Sequence, residues 1–162
     1  MGGMQAFQWS IAHPRFVKKV ISIVGSPQSQ ADDRQRCTET IAWCEIPART
    51  RVRQMLSQWK PRAALREFVI NPHDYMSQAR AIMTLDITKA FGCSLGRTAA
   101  TVSADLLVAT TWEDLDVNPA PAFEFARLAN AEILELDGQC GHQAPSCDRA
   151  RLRAAIARFL DR

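Results

Sequence analysis

The chain has 162 residues, room for one domain, and its 20 Lys+Arg against 17 Asp+Glu leave a formal charge of +3. Hydrophobic residues make up 47% and charged residues 23%, which excludes a disordered chain, a collagen-like repeat and a coiled coil. No uncharged apolar run reaches the ~18 residues of a membrane span, and a charge of +3 without a concentrated basic face gives no reason to expect nucleic acid.

Gly2-Gly3 opens the sequence. Met4, Phe7 and Ile11 recur at helical spacing, with Ala12 beyond them, and Pro14 ends the helix. Val17 to Val24 is a β-branched run stopped by Gly25-Ser26-Pro27, the pattern of a buried parallel strand. From Ala31 to Arg66 the chain is polar and Arg-rich, with Ile41, Met55 and Leu56 as scattered apolar anchors, and short helices are expected. Asn71-Pro72-His73-Asp74 reads as a turn with a helix N-cap, followed by a helix from Tyr75 to about Leu85. Phe91 to Gly96 reads as loop, and Asp105 to Thr111 as a second buried strand. Pro119 to Asn130 suits a helix with proline near its first turn. Ala131 to Leu136 is a third strand, closed by Asp137-Gly138. The last helix, about Asp148 to Leu160, is expected to bury Leu152, Ile156, Phe159 and Leu160 on one face. Strands alternating with helices predict an α/β chain with three parallel strands and helices on both faces.

Cys37, Cys44, Cys93, Cys140 and Cys147 are an odd count, so at least one is unpaired. No CxxC occurs and no zinc-like spacing is completed. The first residues show no charged region followed by an apolar stretch, and Ala6 stands where a myristoylation pattern needs Ser or Thr. A reduced, cytoplasmic protein without a metal is the expectation. The densest basic cluster, Arg49, Arg51, Arg53, Lys60, Arg62 and Arg66, is expected to be a solvated helix face rather than an anion site.

In open α/β sheets, functional groups sit on loops leaving the carboxyl ends of strands. Two such loops here are unusually polar. Thr111-Trp112-Glu113-Asp114-Leu115-Asp116-Val117-Asn118-Pro119 follows the second strand, and Asp137 to Pro145, with His142, follows the third. An acid and then a histidine, each just past a strand, is the tail of a Ser…Asp…His triad on the α/β-hydrolase scaffold. There the carboxylate orients the imidazole and stabilises its protonated form, and the imidazole takes the proton from a nucleophile hydroxyl. On spacing alone, the acidic loop reads equally as a helix-capping turn, and Gly141-His142 as ordinary loop residues.

Met1-Gly2-Gly3-Met4-Gln5-Ala6, followed by Trp9 and His13-Pro14, resembles the segment directly after the nucleophile in homoserine O-acetyltransferases, whose elbow reads Gly-x-Ser-Met-Gly-Gly-Met-Gln. Val20 to Pro27 is similar to the family strand that ends in Ser-Pro. Asn71 to Tyr75, with Arg80-Ala81 and Asp86, resembles the family's Asp-Pro-Asn-Ser-Tyr…Arg-Ala…Asp helix. Asp114 to Pro119 resembles an acid loop of the form Asp-His-Met-Val-Asn-Pro, and Cys140 to Pro145 the histidine loop. The likeness runs through nearly the whole chain, in order.

That resemblance implies the C-terminal half of an α/β-hydrolase fold, three parallel strands with flanking helices and a short helical lid insertion. Residues 1–30 and 97–162 would form the sheet core, and 31–96 the lid. It implies Asp114 as the triad acid, with Glu113 and Asp116 as rivals, and His142 as the general base. Met1 would supply half of the oxyanion hole through its backbone N–H. Tyr75 and Arg80 would lie near the acyl tunnel, or serve only cap packing and a structural ion pair. Implied substrates are acetyl-CoA and an amino-acid alcohol, in a step toward methionine, with no bound cofactor. The chain begins one residue after the place of the family serine, and its one Gly-x-Ser-x-Gly spacing, Gly92-Cys93-Ser94-Leu95-Gly96, falls in the segment read as loop with no strand ahead of it. Gln143 stands where the family often has Asp after the histidine, and residues 31–66 differ from the long family lid. Homoserine, another alcohol or water remain as acceptors, and a non-catalytic interaction module is the reading of another class. The first strand would be an exposed edge, predicting self-association or pairing with an N-terminal half supplied by another chain.

Overall fold

Helix α1 (Gly2–Ala12) leads into strand β1 (Lys19–Ile23). Helices α2 (Ala31–Glu45), α3 (Pro72–Thr84) and the short α4 (Leu95–Ala99) come next. Strand β2 (Asp105–Thr110), helix α5 (Ala120–Leu128) and strand β3 (Glu132–Glu135) follow. Helices α6 (Ala144–Cys147) and α7 (Arg149–Leu160) close the chain. The computed structural model describes residues 1–47, 71–137 and 140–162. The basic cluster from Arg49 to Arg66, the anchors Met55 and Leu56, and Gly138 lie outside the described residues.

The strands form one parallel sheet in the order β1-β2-β3, with Ile21 beside Leu107 and Ala109 beside Leu134. Central β2 is buried from Leu106 to Thr110, which is why its sequence is an apolar run rather than an alternation. Successive side chains leave opposite faces of a strand. On one face Leu106 and Val108 join Phe7 of α1 and Ala122, Phe125 and Ala126 of α5. Phe7 meets Phe125 edge-on at 5.4 Å, a geometry worth ~0.5–1.5 kcal/mol beyond burial. On the other face Ala109 packs with Leu136, Ala144 and Leu152 under α7. Helices thus cover both faces, as the alternation predicts.

Local chemistry explains where elements begin. Asn71 accepts the His73 N–H and Pro72 opens α3, so that helix starts three residues before Tyr75. Residues 31–45 form one helix rather than short pieces, because Gln30 and Asp33 cap each other's backbone at its start. Part of the expected loop at 91–96 is helical: Ser94 accepts the Arg97 N–H and starts α4, a helix too short to show a period. In α7, Leu152 and Phe159 are buried, but Leu160 is 52% exposed because it lies one step around the helix from Phe159. Lys19 of β1 donates to the carbonyls of Phe159, Leu160 and Arg162 at 3.0, 2.8 and 2.7 Å, which satisfies the end of α7.

Two close approaches position the rest. A Cβ on Gly25 would lie 2.4 Å from the Gly3 carbonyl carbon, so the start of α1 crosses the end of β1 at a pair of glycines. Ser29 N–H to Leu85 O and Ile87 N–H to Pro27 O, both 3.1 Å, join the chain just before α2 to the chain just after α3. Helix α2 packs along α3.

Candidate active site

Strands β2 and β3 are parallel neighbours, so the loops after Thr110 and Glu135 leave the same edge of the sheet. The start of α1 lies over that edge, since Gly3 touches Gly25 and the Ile23 carbonyl. Three pieces of chain far apart in sequence therefore converge.

Asp114 is 4% exposed. Its Oδ1 accepts the N–H groups of Asp116 at 2.9 Å and Val117 at 3.0 Å, a turn closed by its own side chain. That leaves Oδ2 to meet His142 Nδ1 at 2.8 Å. His142 sits on a single 3₁₀ turn, Gly141–Gln143. Gly141 has φ 53, and a Cβ there would lie 3.1 Å from the Glu113 carbonyl oxygen. A glycine is thus what lets the histidine loop close on the acid loop.

The same contacts set the charges. Burial pushes the Asp114 carboxyl up, but the His142 ring and the Val117 and Asp116 N–H groups outweigh it, and the net displacement is downward. The Asp114 hydrogen bond holds the His142 ring above its ordinary value; burial opposes this, and the charges of Asp114 and Asp116 add to it. The amino group of Met1 also opposes protonation of the ring, which places the first residue in its electrostatic reach. Of the three acids, only Asp114 touches the imidazole. Glu113 is bonded to the Thr111 hydroxyl, which lowers its carboxyl, and Asp116 acts on the ring through space.

With Nδ1 facing a carboxylate, the neutral ring carries its proton there and leaves Nε2 as the acceptor. Such a couple can take a proton at Nε2 and return it. A cleft of about 460 Å³ beside it is lined by Glu113, Leu115, Asp116, Cys140, Gly141 and His142. Leu115 stands at its rim, 70% exposed. Trp112 stacks on Phe123 at 4.1 Å and fixes the start of the acid loop. Among the described residues no serine hydroxyl bonds to His142; Ser10, Ser22 and Ser26 donate to the carbonyls of Phe7, Gly3 and Gln28. Tyr75 and Arg80 are both exposed on α3, and neither lines the cleft.

Two features escaped the sequence reading. Asp33, buried at the start of α2, accepts the Asn118 N–H at 2.7 Å, and Asp32 accepts the Asn118 side-chain amide at 3.0 Å. The acid loop is clamped to α2, yet in sequence the two acids look only like first-turn residues. Cys140 and Cys147 form a disulfide, which corrects the expectation of reduced cysteines at those positions. A spacing of seven is no recognised motif; the 3₁₀ turn and α6 fold the chain back and bring the pair together. Among the described residues no group of three or more His, Cys, Asp or Glu could hold a metal. No described helix is long and apolar enough to cross a membrane.

No protein-family model matches the chain, and no curated protein matches it by sequence. Solved structures do. The chain is similar to the acetyl esterase MekB, with a TM-score of 0.78 and 16% identity over 99% of this chain and 59% of that one. It is similar to homoserine O-acetyltransferase from Bacillus anthracis, with a TM-score of 0.76 and 20% identity over 99% of this chain and 58% of that one. It is also similar to the enol-lactonase from Burkholderia xenovorans LB400, with a TM-score of 0.71 and 18% identity over 100% of this chain and 63% of that one. The fold is that of the α/β-hydrolases, of which this chain spans about three-fifths of the length of these neighbours.

Proposed function

We propose that this chain is the acid–base part of a serine-dependent acyl-transfer enzyme of the homoserine O-acetyltransferase type. One observation carries the reading: the 2.8 Å contact between Asp114 and His142 Nδ1 at the carboxyl edge of the sheet, beside the start of α1. Asp114 holds the ring, and Nε2 of His142 takes the nucleophile's proton. The serine is supplied by residues outside this chain, at the position preceding Met1. The backbone N–H of residue 1, then an amide, is one oxyanion donor.

Acetyl-CoA is the acyl donor and no cofactor is bound. The serine is acetylated and coenzyme A leaves with a proton from His142. An acceptor hydroxyl then gives its proton to His142 and takes the acetyl group, and His142 returns the proton to the departing serine oxygen. A setting in the cytoplasm, where acetyl-CoA is made, goes with this reading, as does a role toward methionine. Tyr75 and Arg80 are candidate substrate contacts at the lid. The strand that precedes the serine pairs with the outer edge of β1, which has one neighbour among the described residues.

A second reading has water as acceptor. Gln143 favours it, because a neutral side chain after the histidine lacks the negative charge that would pair with an amino-acid ammonium group. The test uses the chain extended upstream through a serine elbow. Thiol release from acetyl-CoA that depends on homoserine supports the transferase. Hydrolysis of acetyl esters, indifferent to homoserine, moves the esterase ahead.

A further inference from the structure

Cys140 and Cys147 bracket His142. Cys140 immediately precedes the 3₁₀ turn that carries the ring, and Cys147 is the last residue of α6. Outside the bond, the loop is held by the His142 contact to Asp114, by Gly141 against the Glu113 carbonyl and by a few hydrogen bonds of its own. Gln143 N–H bonds to Cys140 O at 2.9 Å, and Asp148 N–H to Ala144 O at 2.8 Å. Ala144 is its buried anchor, while Gln143 and Ser146 are exposed. At the base, Asp148 accepts the Asp137 N–H at 3.0 Å and ties the end of β3 to the start of α7. The disulfide is the covalent tie across this loop, and its Cys140 end lines the cleft. It is also accessible: Cys147 is exposed, and Cys140 lines the cleft with His142.

We propose that Cys140–Cys147 is a reversible redox site that sets the histidine loop: the bond holds the His142 ring on Asp114, and reduction by a dithiol releases it. A thiolate of the reductant attacks one sulfur and the other cysteine leaves as thiolate. The reductant's second thiol then displaces the remaining cysteine. The pair gains two electrons and two protons, and the dithiol leaves as its own disulfide. Cys37 does not compete, since burial, aided by the charge of Asp33, pushes its thiol up and keeps it protonated. The consequence for turnover rests on the function proposed above; the loop behaviour does not.

The test uses this chain as it stands. It has three histidines, His13, His73 and His142, so ring titrations can be followed by NMR with labelled histidine. The oxidised chain is compared with the chain in dithiothreitol, and with a Cys140→Ser, Cys147→Ser double variant. Reduction is expected to move the His142 titration to lower pH. Amide exchange at residues 141–148 is expected to quicken by about tenfold or more. The double variant should match the reduced chain and ignore dithiothreitol. A His142 titration unchanged by reduction overturns the proposal. So does a thiol count that dithiothreitol does not raise. So does a loss of all dispersed amide signals, which makes the bond a global staple. Absence of acyl transfer in the extended enzyme counts against the proposed function and leaves this readout intact.

Discussion

Asp114 and His142 stand 28 residues apart in sequence, yet Oδ2 of one lies 2.8 Å from Nδ1 of the other. The geometry is over-determined. Two backbone N–H groups hold the other carboxylate oxygen, and Gly141 lets the histidine turn press against the Glu113 carbonyl. Asp114→Asn keeps the shape but turns one acceptor into a donor and favours the wrong ring tautomer. In the serine-bearing enzyme, turnover is expected to fall by about 10⁴-fold, as in other triads. In this chain, the His142 titration should move to lower pH. An unmoved titration would mean that the ring is not held by this carboxylate.

The pair also gives stability a pH window. Asp114 titrates below its unfolded value, so its contribution is full above the ordinary carboxylate range and is lost as pH falls through its folded value. His142 titrates above its unfolded value, so its contribution is full below the ordinary imidazole range and is lost as pH rises through its folded value. The two overlap between about pH 4 and pH 6.5. Urea midpoints of the parent chain and His142→Gln, measured from pH 4 to 9, should differ most in that window. The difference should shrink toward pH 9. A difference that grows with pH contradicts the assignment.

Gly25 and Gly2 should respond oppositely to alanine. Gly25→Ala puts a methyl group 2.4 Å from backbone at Gly3 and is expected to cost ~1–3 kcal/mol or more. Gly2→Ala meets nothing within 4 Å and lies in the first turn of α1, so it should be neutral or stabilising by up to ~1 kcal/mol. Thermal or urea unfolding of the two variants separates these outcomes, and equal losses would refute the close crossing of α1 and β1.

Asp33 holds two backbone N–H groups, those of Gln30 and Asn118, each at 2.7 Å. Asp33→Ala leaves both without that acceptor and should cost ~1–3 kcal/mol. Its local mark should be faster amide exchange at Asn118, on the acid loop, rather than only along α2. Protection at Asn118 that survives the substitution would show that the loop does not depend on α2.

Much of the fold was legible because its signals are local. The β-branched run before Gly25 and the apolar run from Asp105 to Thr111 read as buried strands; both are strands, with β2 buried on both faces while β1, at the sheet edge, alternates half-buried and buried residues. Asp114 could be told from Glu113 and Asp116 in sequence only by its place ahead of Val-Asn-Pro. In space the distinction is physical, since Glu113 is spent on Thr111. What escaped were relationships made by tertiary turns: the Asp33 clamp across 85 residues, the Cys140–Cys147 bond, and the Ser94-capped helix with too few residues for a period. The Gly3–Gly25 contact was hidden for the same reason, because neither glycine lies in a turn that demands one.

The central claim is that Asp114 and His142 serve a serine standing just before Met1. Its most direct test is acetyl release from acetyl-CoA by three proteins: this chain, the chain extended upstream through a serine elbow, and the extended chain with His142→Ala. The account predicts turnover in the extended chain alone. Turnover by this chain without the extension, or by the extended chain without His142, would contradict it.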